Sequence, residues 1–314
     1  MKTRLPPETG VAVVALLCYT WLASFLPSFR TGATASVVLS NSAEIAILAS
    51  GMTLVIATGG IDVSVGSVLG LCAIVFARLM ADGSWSIPAA AAACLAAGAT
   101  CGWINGILIA RYRLPSIVAT LAIFAAARAG AYLLSGGESI SSLPEGLIRF
   151  GYGSIGGIPL PALPAIAALV ACAIILKRTA YGRQILALGG SREASFLSGH
   201  RVQQVECGVF VMSGLLAGLA AILTVARGAT AIPDAGRFTE MTAITAVVLG
   251  GTPVSGGNAT ILGTGLGVLT IGLITNGVRA YGRGDIWVLL VLGLALLVSV
   301  EVDRWRSRER STLS

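Results

Sequence analysis

Long apolar runs separated by short polar connectors make up most of the chain, and their lengths set the first expectation. A run near 20 residues is what an α-helix needs to cross hydrocarbon. The pattern predicts helices at roughly 10–27, 38–58, 64–81, 87–110, 115–134, 161–176, 204–226, 239–251, 259–281 and 286–302, about ten spans in all. The 239–251 segment is short and is alternatively half of a re-entrant pair with its successor. The runs are continuous and lack the alternating ten-residue segments of a transmembrane barrel. The expected fold class is therefore all-α, a polytopic membrane protein with a single transmembrane domain over residues 1–314.

Composition agrees: 55% of residues are hydrophobic, 11% are charged and 40 are glycine. A net charge of +7 would suggest nucleic acid for a soluble chain. In a membrane chain the excess sets topology, because Lys and Arg stay on the cytoplasmic side, and no groove of interleaved aromatic and basic residues points to nucleic acid. With the N-terminus placed inside, Lys2 and Arg4, Arg111 and Arg113, the group Lys177, Arg178, Arg183, Arg192 and Arg201, and the group Arg304, Arg306, Arg308 and Arg310 all fall on one face. N-in, C-in and an even number of spans follow. The run Val11 to Leu26 behind Lys2 and Arg4 superficially resembles a signal peptide. It is longer than a usual signal core and lacks a small-x-small cleavage site, so it is read as the first span. Cys18, Cys72, Cys94, Cys101, Cys172 and Cys207 lie in or beside apolar runs without Cys-x-x-Cys spacing and read as small core residues.

One stretch departs from generic membrane filler. In Gly51 to Leu71 the apolar run Met52 to Ala57 is cut by Thr58, Gly59 and Gly60, an acid stands at Asp62, and a new helix pattern begins after Gly66. Irregular backbone at membrane depth must be buried in protein or line a water-filled cavity. Asp62 has two compatible roles: a cap for the following helix through the amides of Ser64 or Val65, and a place on a transport pathway, where intramembrane acids concentrate. A partial echo lies downstream. Gly59-Gly60-Ile61-Asp62-Val63-Ser64-Val65-Gly66 aligns without gaps with Gly250-Gly251-Thr252-Pro253-Val254-Ser255-Gly256-Gly257, keeping both leading glycines, the valine, the serine and a closing glycine. Paired Gly/Pro interruptions in two halves of a membrane protein point to a transport pathway; shared helix-turn-helix chemistry would produce the same echo.

Two loops stand out. The outer one, Ser135 to Leu160, is rich in Gly, Ser and Pro, and a short helix is expected near Pro144-Glu145. It is a docking place for a partner that delivers a ligand, or a solvated connector. The inner one, Thr179 to Val202, predicts two small helices: Gly182 to Leu188, closed by Gly189, and a second capped by Ser191, with Glu193 in its first turn and Gly199 as terminator. Ile185, Leu186, Leu188, Phe196 and Leu197 offer apolar contacts and Arg183 and Arg192 charge, which suits a protein docking knob or a membrane-lying pair; His200 is incidental. Arg128, inside the apolar run Leu121 to Leu134, either snorkels outward or lines the cavity and meets substrate hydroxyls or an acid such as Glu44. Glu44 and Glu240 are expected to be exposed or capping.

Together the GMTLVIATGGIDVSVGS block, Asn105-Gly106 followed by Leu114-Pro115-Ser116-Ile117-Val118-Ala119-Thr120-Leu121, the YGRQILALGGSREASFLSG loop and VVLGGTPVSGG resemble the permease subunits of bacterial sugar ATP-binding-cassette importers, the ribose, xylose, rhamnose and autoinducer 2 group. The resemblance covers residues 37 to 300 or so. It implies the importer permease fold, the bacterial inner membrane, a second permease copy or paralogue, a periplasmic sugar-binding protein and a cytoplasmic ATPase, with no cofactor or metal. It also implies that the loop matching Gly182 to Gly199 couples to the ATPase: Gly182, Arg183, Gly189, Arg192, Glu193, Ala194 and Gly199. The residues expected along the pathway are Gly59, Gly60, Asp62, Ser64, Gly66, Asn105, Arg128, Gly250, Gly251, Ser255 and Gly257. The Ile61 to Ser67, Ile117 to Leu121 and Ser142 to Leu147 stretches look most like the autoinducer 2 and rhamnose branch. Val63 and Ala129 depart from the Leu and Gly frequent there, which leaves the substrate open. No phosphate-binding Gly-x-x-x-x-Gly-Lys-Ser/Thr loop occurs, so energy comes from another subunit. The competing class, an ion-coupled carrier or channel, calls for several ionisable groups at mid-depth, and Asp62 alone is a good candidate. An enzyme is not expected, since no Ser-His or paired-carboxylate constellation exists.

Overall fold

The computed structural model describes residues 7–81, 83 and 85–311, and it is helical almost throughout. Thirteen α-helices occur among the described residues: α1 Pro7–Phe25, α2 Gly32–Ala57, α3 Val65–Ala81, α4 Ile87–Ala110, α5 Ser116–Ser135, α6 Glu145–Tyr152, α7 Ala162–Arg178, α8 Ala180–Gly190, α9 Arg192–Leu197, α10 Val202–Gly228, α11 Thr239–Leu249, α12 Ile261–Ala280 and α13 Asp285–Ser311. All ten segments expected from the apolar pattern form helices. Six of them are long and apolar enough to cross a membrane, and α7 joined to α8 across a 76° bend makes a seventh; α3, α11 and the apolar part of α13 are shorter. Lys2 and Arg4 lie outside the described residues, and for Arg304, Arg306, Arg308 and Arg310 only the helical backbone is described.

Helices that are apolar on every side belong in the centre of a bundle. Those here are α2 and α10, both largely buried. α10 lies against α4, α2 and α3, and α2 against α7, α12 and α11 as well, while α1 is attached at the edge through α12. Leu16, Leu17, Trp21 and Phe25 of α1 point outward, as lipid-facing positions do.

The closest helix pair is α4 with α10. A Cβ on Gly98 would overlap the Gly214 carbonyl oxygen and the reverse also holds; one on Gly102 would overlap the Phe210 carbonyl, and one on Gly106 would fall 2.7 Å from Cys207 Cα. Small residues four apart let two backbones touch, a source of packing energy in a solvent where burial of apolar surface drives nothing.

The outer loop holds the expected short helix, α6, beginning after Pro144. It also holds an unforeseen hairpin, Ser154–Ile155 (β1) antiparallel to Ile158–Pro159 (β2). The loop is no free connector: Ile140 and Ala231 exchange backbone hydrogen bonds of 2.9 and 2.8 Å, and Gly151 seats α6 on the Ala226 carbonyl of α10.

Candidate functional site

Both interruptions are built as helix stops of one type. At the end of α2, Gly59 (φ 83°) donates its N–H to the Ile56 carbonyl at 2.8 Å and Gly60 to Val55 at 3.2 Å. At the end of α11, Gly251 (φ 90°) donates to Val248 at 2.9 Å and Thr252 to Val247 at 3.2 Å. Each is a Schellman motif, which needs a left-handed residue one past the cap and therefore favours glycine. The gapless alignment of Gly59 with Gly250 is thus off by one. Gly59 corresponds to Gly251, because Thr58 holds the cap position in one break and Gly250 in the other. What repeats is the termination chemistry.

The backbone beyond the first stop is satisfied from α5. Ser116 Oγ accepts from Ile61 N at 3.2 Å, and Thr120 Oγ1 accepts from Val63 N at 3.3 Å. Two hydroxyls one helical turn apart behind Pro115 are the sequence signal for this support, and sequence reasoning gave them no role. Thr120→Val is expected to leave the part-buried Val63 amide unpaired and lower stability by about 1–2 kcal/mol, with Thr120→Ser near the parent. Thermal unfolding in detergent checks it.

Asp62 sits inside this break, 1% exposed. Its Oδ1 accepts from Ser64 N at 3.0 Å and Ser64 Oγ at 2.6 Å, and its Oδ2 accepts from Ser213 Oγ of α10 at 2.8 Å. Asn105 Nδ2 of α4 donates to Ser64 Oγ at 2.9 Å. The expected bond to the Ser64 amide is present, with α3 beginning at Val65. Asp62, Ser64 and Asn105 thus form one network joining the break to α4 and α10, with Asn105 Oδ1 left without a partner among the described residues, and Ser213 is the member the sequence did not reveal. A buried carboxylate needs such partners, and here hydroxyl and amide donors supply them.

Arg128 does not snorkel. Its side chain is 15% exposed; Nη1 donates to the carbonyls of Pro233 at 2.8 Å and Ala235 at 2.9 Å and stands 3.7 Å from Asp234 Oδ1. Those carbonyls belong to the irregular segment 229–238, buried at Ala231 and Ala235, and Arg128 gives it hydrogen bonds that water would otherwise supply. Gly70 makes room for the guanidinium and Gly66 for the Glu240 carboxylate, so Glu240 is buried rather than exposed. Glu44 pairs with Arg227 at 2.9 Å, not with Arg128, since α10 and not α5 runs beside α2.

The inner loop forms the two expected helices with one correction. α8 is capped by Thr179, whose Oγ1 accepts from Gly182 N at 3.1 Å, and runs through Gly189 to Gly190. Gly189 therefore closes nothing. It lies against the Ala57 carbonyl at the end of α2 and the Gly257 amide, and Gly257 N donates to Ala57 O at 3.0 Å. A Cβ on Gly256 would fall 2.6 Å from Gly59 N, and one on Gly59 would fall 3.4 Å from the carbonyl of Ser255, itself exposed. The two breaks and the helical hairpin formed by α8 and α9 thus meet backbone to backbone at a single junction, while Gly250 packs on Gly263 of α12. α9 is capped by Ser191, which accepts from Ala194 N at 3.2 Å, and Gly199 ends it with φ 79°.

Within the hairpin, Gly182 packs on the Ile175 and Leu176 carbonyls at the corner with α7. Ile185 and Leu188 are buried in the chain's own core instead of being offered outward; Phe196 and Leu197 remain exposed, as do Arg183 and Glu193. Arg192 is engaged by Glu206 in a two-pronged ion pair, Nε to Oε1 at 2.9 Å and Nη2 to Oε2 at 2.8 Å, and those hydrogen bonds push the guanidinium pKa further up. Tyr181 adds a bond from its hydroxyl to the Val205 carbonyl at 3.0 Å, so the hairpin is fastened to the start of α10.

Residues 34–300 match the family described as branched-chain amino acid transport system / permease component. The chain is 36% identical over 306 residues to the ribose import permease protein RbsC of Bacillus subtilis, covering 97% of this chain and 94% of the relative. It is 31% identical over 310 residues to the L-arabinose ABC transporter permease protein AraH of Azospirillum brasilense, covering 99% and 91%. It is 33% identical over 287 residues to the fructose import permease protein FrcC of Rhizobium meliloti, covering 88% and 79%. No solved structure matches the chain. With most of its length matched by the family model and by full-length relatives, the chain belongs to this family of membrane-embedded transport permeases.

Proposed function

We propose that this chain is the permease subunit of an ATP-binding-cassette importer that carries a sugar across the bacterial inner membrane, with energy from a separate ATPase. Ten helices cross, both termini face the cytoplasm, and residues 1–314 act as one transmembrane domain beside a second permease copy or paralogue. A periplasmic binding protein delivers the sugar. Ribose, arabinose and fructose, named for the relatives, are the sugars to screen first, and the resemblance to the autoinducer 2 and rhamnose branch adds two more.

The observation that carries this reading is the junction at Gly189. An energised partner pressing on the exposed Phe196 and Leu197 would move a hairpin already in contact with the end of α2 at Ala57 and with the second break at Gly257. Arg113 lines the same surface cavity as Arg192, Glu193 and His200, which agrees with the basic loops sharing the cytoplasmic face. In this scheme α8 shifts the ends of α2 and α11 through the Gly59 and Gly251 stops, and the Arg192–Glu206 pair passes the motion to α10. The pathway residues inferred from sequence then act chiefly as pivots and seals, since Asp62, Ser64 and Asn105 are enclosed by protein.

Copurification of tagged chain from its native membranes, with stoichiometric partners identified by mass spectrometry, tests the proposal. An ATPase bearing a phosphate loop and a second permease are expected. Recovery of the chain alone, with ATP-independent uptake in proteoliposomes, would overturn it in favour of the ion-coupled carrier.

A further inference from the structure

A second polar centre lies at the other end of α10 from the hairpin, and the functions above make no use of it. A cavity of about 450 Å³ opens between α2, α10, α11, α12 and α13, within the roughly 300–1,000 Å³ range of small-molecule sites. At its heart Arg227 Nη1 bonds to Glu44 Oε1 at 2.9 Å, and Arg227 Nη2 to Asn41 Oδ1 at 2.5 Å. Asn41 Nδ2 in turn donates to Asn276 Oδ1 at 2.7 Å, and Asn276 Nδ2 to the Gly272 carbonyl at 2.8 Å. This orients the asparagine amide from behind. Ser42 also lines the cavity; it is 6% exposed and its hydroxyl has no partner among the described residues.

The chemistry of the wall selects a ligand class. Glu44 and Arg227 neutralise each other, so a zwitterionic amino acid would have to break a part-buried ion pair to enter, a costly step. Thr242 and Thr275 give their hydroxyl protons to the Phe238 and Gly272 carbonyls, leaving oxygen lone pairs free to accept from a ligand. Arg227 supplies donors and Ser42 an unpartnered hydroxyl; Arg279 also lines the space and has a partner of its own. Closely spaced acceptors and donors around a compensated charge match a molecule whose every polar group is a hydroxyl, able to give and take at once.

We propose that this cavity is a resting site for one neutral polyhydroxy solute of monosaccharide size, held between Asn41, Glu44 and Arg227. The inference rests on the importer reading and adds the place where the cargo pauses. It also gives α10 a sensor at one end and the hairpin at the other, with Ser213 and Asp62 between them.

The test uses the complete importer in proteoliposomes, with Thr242→Cys on α11 as reporter and Thr275→Cys on α12 as a second, should the first fail to fold. A charged methanethiosulfonate is added outside, the parent chain supplies the background of native cysteines, and Tyr152→Cys on α6 is the control away from the cavity. D-ribose, L-arabinose and D-fructose are the probes and L-leucine the comparison. The transported sugar is expected to slow labelling at residues 242 and 275 at least threefold, with no effect at 152 and none from leucine. Unchanged labelling by a sugar that the same vesicles import would overturn the site and leave the importer intact. Protection by leucine but no sugar would replace the polyol with an amino acid. Absence of ATP-driven import of every sugar in the parent complex would overturn the importer reading and the sugar site with it.

Discussion

Replacement of Gly189 by valine is expected to abolish ATP-driven uptake, a loss of more than tenfold, while the assembled complex still hydrolyses ATP. The added Cβ would overlap the Ala57 carbonyl and the Gly257 amide. Both are backbone atoms and cannot swing aside as a side-chain tip can, so the hairpin must lift off the junction. Overpacking of this kind costs about 1–3 kcal/mol, which a core shared by α2, α3 and α10 tolerates without unfolding. The neighbouring glycine is the matched control. A Cβ on Gly190 meets nothing within 4 Å, so Gly190→Ala is expected to stay within about twofold of the parent, its helix propensity being better than that of glycine. Uptake and ATP hydrolysis measured on the same proteoliposomes separate the two effects. Normal uptake by Gly189→Val would remove the junction from the coupling route.

Asp62 carries the second large effect, and two substitutions there distinguish the competing classes of transporter. Asp62→Ala strips partners from the Ser64 amide and hydroxyl and the Ser213 hydroxyl, all buried. An unpaired buried polar group costs about 1–3 kcal/mol, so a fall of several degrees in thermal midpoint and a poor yield are expected. Asp62→Asn keeps an oxygen for Ser64, and the Ser213 hydroxyl turns to accept from the new amide. The asparagine variant is expected to fold and to import within about threefold of the parent. An ion-coupled carrier that used this acid would lose transport entirely in the same variant with folding intact. Uptake driven by ATP, set beside uptake driven by an imposed ion gradient, reads the difference directly.

Much of the architecture was legible because the signals were local. Apolar runs located the ten helices, Ser191 announced the cap of α9, and Pro144-Glu145 announced α6. The glycine pairs betrayed both helix stops because a left-handed turn leaves few residue choices. The relations between distant segments were not legible. Nothing in Gly189 distinguishes a terminator from a packing surface until Ala57 and Gly257 are seen against it. Arg128 could be read only as snorkelling or cavity-lining, because the irregular segment that it binds is far off in the chain and presents carbonyls, which every residue has. Glu44 and Arg227 are 183 residues apart, so their pairing has no local signature. The polar contents of both centres were visible in the sequence, but which acid meets which base is decided by helix packing.

The contact between α4 and α10 has a genetic corollary. Alanine is the smallest replacement available at Gly98, Gly102, Gly106 or Gly214, and it already carries the atom that collides with the opposite backbone. No conservative change exists there. A library of random coding changes selected for growth on the transported sugar would therefore return these codons untouched while exposed neighbours, such as Trp103 and Ile104, drift freely. The blank codons would recur every fourth position, tracing one helix seam from survival data alone.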